Sequence, residues 1–317
     1  MQLGFVDGMK PQGAIFRARG SVHDQRTLCS SADQANAAPF PWRLTRRLPS
    51  GGSLELFRAA ATQDLGPGCY VLKALRFPHR QNAVERAYLQ REAILGLTLN
   101  HPSLIRPLVV EHQSPRPYVL LPYLDGVSLR YLFHSQSTIG TTSAPFSMAR
   151  ALNIVRQVTE ALAIIHDAGW LHGQVRPQHI ILSPQGRATL IDLTQARQLN
   201  TRECDVGNGL TLDALYAPPE ESSRSGRLGA MADVYSLGVL FYELLAGRPP
   251  FHGSSSAEIV SQHRHHAVAD IRQQRPDVSF EVDHVIRLML AKEPLRRPAG
   301  SDLIRWLANL EIAALAV

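Results

Sequence analysis

Between Trp42 and Leu121 the apolar residues come in short alternating runs: Leu54 and Leu56, Tyr70 to Leu72, Tyr118 to Leu121. That is the period of half-buried strands. One stretch breaks the rhythm, because Ala83 to Leu99 carries helical spacing, and Asn100, His101 and Pro102 end it where proline cannot continue a helix. After Gly126 the spacing turns helical throughout, and Leu152, Val155, Val158, Leu162 and Ile165 would line one buried face. A further helix is predicted from Met231 to Ala246, stopped by Gly247 and the pair Pro249 and Pro250. Two shorter ones, Ala257 to His266 and Val282 to Ala291, precede a last helix from Ser301 that nearly reaches the end. The pattern predicts an α+β chain in two lobes: residues 41–123 as a small β-rich lobe with one main helix, and residues 124–312 as a larger helical lobe. Residues 1–40 mix Gly, Gln, Ser and Asn with scattered Arg and read as a flexible leader, with 313–317 a tail. There is no internal repeat.

At 317 residues and 44% hydrophobic composition the chain can bury one large two-lobed core, which excludes disordered and fibrous classes. No run approaches the roughly 18 apolar residues of a membrane span, since Asp233 and Glu243 interrupt the best one. Asp7, Lys10 and Pro11 break any signal-peptide core, so a cytoplasmic address follows. Cys29, Cys69 and Cys204 are too far apart for a C-x-x-C pair and read as reduced thiols. The net charge of +6 is dispersed over arginines without aromatic interleaving, which argues against a nucleic-acid partner.

From Trp170 to Arg197 the chain reads WLHGQVRPQHIILSPQGRATLIDLTQAR, which resembles the catalytic loop and metal-binding strand pair of the eukaryotic-type Ser/Thr protein kinases. The resemblance extends from about Trp42 to Leu310. YVLK, ending at Lys73, is similar to the strand bearing the ATP-clamping lysine, and LQREAILGLTLNHPSLIRPL to the helix bearing its partner, here Glu92. LLPYLDGVSL resembles the hinge, YAPPE the end of the activation segment, ADVYSLGVLFYELLAGRPPF the central helix of the large lobe, and RPDVSF through AKEPLRRP the C-terminal ending. The resemblance implies a two-lobed kinase-like fold in which Glu220 pairs with Arg297 and Asp233 accepts hydrogen bonds from the catalytic-loop backbone. It also implies ATP as a ligand, in a slot lined by Gly51, Gly52, Val71, Leu121, Tyr123 and Ile181.

Phosphoryl transfer asks for a lysine on the phosphates, acidic groups on magnesium, and a carboxylate orienting the acceptor hydroxyl. Lys73 and Glu92 retain the ion pair, against the plainer reading of a surface lysine and glutamate. In LPSGGSLELFRA the G-x-G-x-x-G pattern places Pro49 at the first glycine, Gly51 at the second and Leu54 at the third, where a side chain would hinder the approach to phosphates. A plain Ser-Gly-Gly hairpin turn is the equal alternative. His172 stands where the family has its histidine, but Gly173 replaces the arginine that reads activation-segment phosphorylation, and Gln174 replaces the base. Losing general-base assistance costs about 10²- to 10⁴-fold. Arg176 takes the place of the loop lysine. His179 stands where an asparagine would hold a second magnesium, and imidazole suits other metals better, which puts Mg or Mn in doubt. Asp192 keeps its carboxylate, as metal ligand or simply as a turn residue, while Leu193 and Thr194 replace phenylalanine and glycine. Asp213, or Thr211 after a shift, falls where the family places a threonine bridging to the base, and Val71 replaces a small alanine against adenine. His263, His265 and His266 lack a nearby carboxylate or cysteine and read as a solvated helix end.

Together these readings point to a pseudokinase, a scaffold or allosteric partner of another protein, able to bind ATP. The alternatives are an active atypical Ser/Thr kinase or other ATP-dependent transferase, and a structural fold that binds no nucleotide.

Overall fold

The computed structural model describes residues 40–137, 146–199, 214–222 and 228–316. The leader and the candidates Thr211 and Asp213 lie outside the described residues. Strands β1 (Arg43–Leu48), β2 (Leu54–Ala60), β3 (Tyr70–Leu75), β4 (Val109–Glu111) and β5 (Tyr118–Pro122) form one antiparallel sheet in the order β1-β2-β3-β5-β4. The alternation of side chains along it builds two apolar layers. On one face Leu72, Ala74 and Leu120 pack with Trp42 and Phe57; on the other Leu75, Val119 and Leu121 meet Leu89 and Ala93 of helix α1 (Ala83–Thr98). Asn82 caps α1, its side-chain oxygen accepting from the backbone N–H groups of Val84 and Glu85.

The large lobe comprises α2 (Leu129–Ser137), α3 (Met148–Asp167), α4 (Met231–Ala246), α5 (Ser256–His265), α6 (Phe280–Met289) and α7 (Gly300–Leu315). The face of α3 drawn from Leu152 to Ile165 is wholly buried. Helix α4 is buried on every side from Ala232 to Leu245, and Gly247 closes it in the left-handed conformation (φ 75°) that a side chain would strain. The short strands β6 (Val127–Ser128), β8 (Ile180–Leu182) and β9 (Ala188–Leu190) form a small sheet, and β7 (Trp170–Leu171) pairs with β10 (Arg197–Gln198). Strands β7 and β9 lie against α3, and these strands flank the loop at residues 172–179 and the turn at 191–195, whose residues 193–195 pack on α1. No helix among the described residues is long and apolar enough to cross a membrane.

Several expectations need correction. Helix α6 starts at Phe280 rather than Val282, because the hydroxyl of Ser279 caps it by accepting from Val282 N–H. Helix α7 runs on to Leu315, with Ala314 packed against the core, so residues 313–315 are no tail. The histidines of α5 do not share a solvated face: His265 and His266 are exposed, but His263 is 1% exposed. Its ring lies 4.8 Å from that of Phe251, accepts from Tyr235 Oη at Nδ1 (2.9 Å) and donates from Nε2 to Leu215 O (3.1 Å).

Candidate functional site

The cleft between the lobes is built from β3, α1 and the two loops that follow β7 and β9. Lys73 lies on β3, paired with Leu56 on one side and Val119 on the other. Its ammonium reaches Glu92 Oε2 of α1 at 2.7 Å and Asp192 Oδ1 at 2.8 Å, so one buried cation joins the sheet, the helix and the large lobe. Burial opposes the charge, but the carboxylates of Asp192 and Glu92 outweigh it and hold Lys73 above the usual ammonium range. For Asp192 burial is likewise overcome, by Lys73 and then His179, and the carboxyl is held well below the usual range. Burial pushes Glu92 the other way, against the pull of Lys73.

Asp192 adopts φ 71°, ψ 78°, the positive-φ residue other than glycine among those described. The backbone is held there by its own side chain, since Oδ1 accepts from Thr194 N (3.3 Å) and Thr194 Oγ1 (2.5 Å). Leu193 turns into the large-lobe core. Sequence reasoning treated Thr194 only as a lost glycine; the Asp-x-Thr spacing was the available signal for a side-chain-capped turn.

The catalytic-loop residues form one hydrogen-bonded cluster. Asp233 Oδ2 accepts from His172 N (2.7 Å) and Oδ1 from Gly173 N (2.9 Å), while His166 Nε2 also reaches Oδ2 at 2.9 Å. His166 was not foreseen; its place at the end of α3, ahead of the loop, was the only sequence signal. Burial opposes the Asp233 charge, but His166 and the loop N–H groups hold its carboxyl below the usual range. His172 is fully buried, donates from Nε2 to Ile191 O (3.1 Å) and accepts from Gln174 N at Nδ1 (3.2 Å). Gly173 has φ 75°, and a Cβ there would come within 3.1 Å of Gln195 O. The Gln174 side-chain oxygen accepts from Arg176 Nη2 at 3.0 Å. His179 donates from Nδ1 to Gln174 O (3.0 Å), which leaves the Nε2 lone pair facing Asp192 Oδ2 at 3.4 Å, with Arg176 Nη2 at 3.3 Å. Burial pushes the His179 imidazole down to about 4, so it is neutral at pH 7.

The remaining candidates are less convergent. Val71 and Leu121 are register partners and share an apolar cluster with Leu54, Leu124 and Ile191. Ile181 lies on β8 beside Gly126, and the Tyr123 ring is covered by the Arg58 guanidinium at 3.9 Å. Gly51 and Gly52 form the turn between β1 and β2, Gly52 at φ 60°, and a Cβ on either meets nothing within 4 Å. Leu54 opens β2 opposite Leu75, after that turn, and packs against the cluster that holds Leu75, Val119 and Leu121. Arg297 lies far from the cleft, donating from Nη1 and Nη2 to Glu220 Oε1 (2.6 Å) and Oε2 (2.7 Å).

Residues 50–306 match the family model described as the protein kinase domain. The chain belongs to the protein kinase family. It is 33% identical over 231 residues to serine/threonine-protein kinase PknB of Mycolicibacterium smegmatis, covering 68% of this chain and 35% of that protein. It is 26% identical over 226 residues to serine/threonine-protein kinase PrkC of Bacillus subtilis, covering 71% and 34%. The chain thus spans about a third of the length of these relatives. Within this kinase domain the residues fit a nucleotide phosphate at Lys73, held in place by Glu92. Magnesium takes oxygen ligands in near-octahedral geometry, and beside Asp192 Oδ2 the protein offers an imidazole nitrogen, Nε2 of His179, at 3.4 Å.

Proposed function

We propose that this kinase domain binds ATP or ADP and acts as a regulator or scaffold of a protein partner in the cytoplasm, with phosphotransfer impaired. The observation that carries this reading is Gln174. The group at the base position is a neutral amide whose oxygen is already taken by Arg176. It cannot accept a proton from a substrate hydroxyl, and the neighbouring carboxylates are engaged: Asp233 accepts from His172 N and Gly173 N, and Asp192 is held by Lys73 and Thr194. What the chain's own groups can do is bind: Lys73 can place a positive charge on phosphate, and Val71 and Leu121 offer an apolar wall to a base.

A second reading, an active atypical Ser/Thr kinase, is favoured by the assembled triad of Lys73, Glu92 and Asp192 and by the similarity to the serine/threonine-protein kinases PknB and PrkC. Two measurements on the purified chain decide between them. Saturating ATP at about 100 times Kd stabilises a binding-competent chain by about 2.7 kcal/mol, read as a thermal shift of several degrees. Radiolabel transfer to casein is expected to stay at background, and to rise by about 10²- to 10⁴-fold in Gln174→Asp if the base alone is missing. Transfer by the unaltered chain, lost in Val71→Trp, which fills the base slot, would establish the second reading. Lys73→Ala is a poorer control, because it strands two buried carboxylates at a cost of about 3–5 kcal/mol. Absence of any shift at millimolar nucleotide would sink nucleotide binding.

A further inference from the structure

Resting on nucleotide binding in this cleft, we infer that His179 Nε2 and Asp192 Oδ2 form a nitrogen–oxygen chelating pair. It selects a borderline divalent transition ion, of the cobalt or zinc type, over magnesium as the companion of the bound phosphates.

Three features converge on this pair. The tautomer of His179 is fixed, because Nδ1–H donates to the backbone oxygen of Gln174 at 3.0 Å. A ring N–H tied to a carbonyl is the arrangement that orients an imidazole toward a metal and makes its other nitrogen more basic. The carboxylate is divided in its duties: Lys73 and Thr194 both use Oδ1 of Asp192, which leaves Oδ2 for the side facing His179. The spacing also suits an ion. Donors 3.4 Å apart, each bonded at about 2.1 Å, subtend roughly 110° at the ion, near tetrahedral and wide of an octahedral right angle. Magnesium demands the octahedron and disfavours nitrogen, whereas imidazole suits zinc, cobalt and their neighbours.

The protein does not complete the coordination alone. Among the described residues no group of three or more His, Cys, Asp or Glu could hold an ion, so phosphate oxygens and water supply the rest, and the ion and the nucleotide bind together. Arg176 is the built-in competitor. Its Nη2 lies 3.3 Å from His179 Nε2 and has Gln174 Oε1 at 3.0 Å as a place to stay when the ion enters.

The test is a titration of the whole chain with Co²⁺ in the presence of ADP, followed by the visible absorption of the ion, beside a Mg²⁺ titration followed by a fluorescent ADP analogue. Metal-free binding of the analogue in a chelator is measured first. The expected result is a Co²⁺ band with nitrogen-ligand character. In His179→Asn, Co²⁺ binds at least about 10-fold more weakly and Mg²⁺ no worse than before. In Arg176→Ala, which leaves both donors in place, Co²⁺ binds more tightly. Metal-free analogue binding equal to the unaltered chain shows that each variant is folded. A Co²⁺ affinity and spectrum unchanged in His179→Asn, with the analogue still bound, overturns this inference and leaves nucleotide binding standing. No analogue binding with or without any ion overturns both.

Discussion

Gly173 shows how one residue sets the character of the loop around it. Its φ of 75° and the 3.1 Å from a Cβ to Gln195 O mean that the family's arginine would not drop into this backbone. Gly173→Ala is expected to cost about 1–2 kcal/mol, read as a lower urea midpoint with unchanged m-value. The sequence shows which groups stand at the chemical positions, since Lys73, Glu92, Gln174, His179 and Asp192 are all addressed by motif spacing. It does not show how they are shared out. That Gln174 Oε1 is taken by Arg176, or that Asp192 uses one oxygen for Lys73 and leaves the other facing His179, depends on rotamers and a left-handed turn. Neither is written in any local pattern. In the same way a glycine template fixes the alignment of Leu54, not the fact that β2 begins there.

At the scale of elements, long periodic stretches were legible and short strands were not. The apolar repeats suffice to give both ends of α4 and the buried face of α3, whereas β6 to β10 are two or three residues each and owe their pairing to the lobe around them. Helix α5 illustrates the limit of polarity as a guide. Its histidines look solvated, yet His263 is enclosed by Tyr235, Phe251 and the Lys292 side chain, whose ammonium donates to His263 O at 2.7 Å. Burial, then the Lys292 charge, pushes the imidazole down to about 4. The folded state therefore prefers neutral His263, while the unfolded chain takes up a proton near pH 6.5. The contribution is intact above about pH 6.5 and is lost as pH falls toward about 4, on the order of 3 kcal/mol in all. His263→Gln keeps an acceptor and a donor in the pocket and is expected to flatten the acid limb of a plot of thermal midpoint against pH. An acid limb identical to that of the unaltered chain would remove His263 as its cause.

For the molecule as a whole, ion pairs tie distant parts of the chain, and two of them bear on the kinase site and its lobe. Lys73 holds Asp192 across 119 residues of sequence, and Arg297 holds Glu220 across 77. The second is a two-pronged pair with the guanidinium wholly buried and further donating to Met231 O and Ala291 O. Glu220→Ala strands that cation and is expected to cost about 3–5 kcal/mol, read in equilibrium unfolding; a loss under 1 kcal/mol would show that solvent reaches Arg297. Beneath this pair runs α4, from whose carbonyl at Met231 one of those bonds is accepted, and from Ala232 to Leu245 it has no face toward water. Its amides can reach solvent deuterium only when the large lobe comes apart as a unit. They form an internal clock for the domain: their exchange rate reports the free energy of opening the whole lobe, and a ligand in the cleft will slow it by the amount its binding stabilises that lobe.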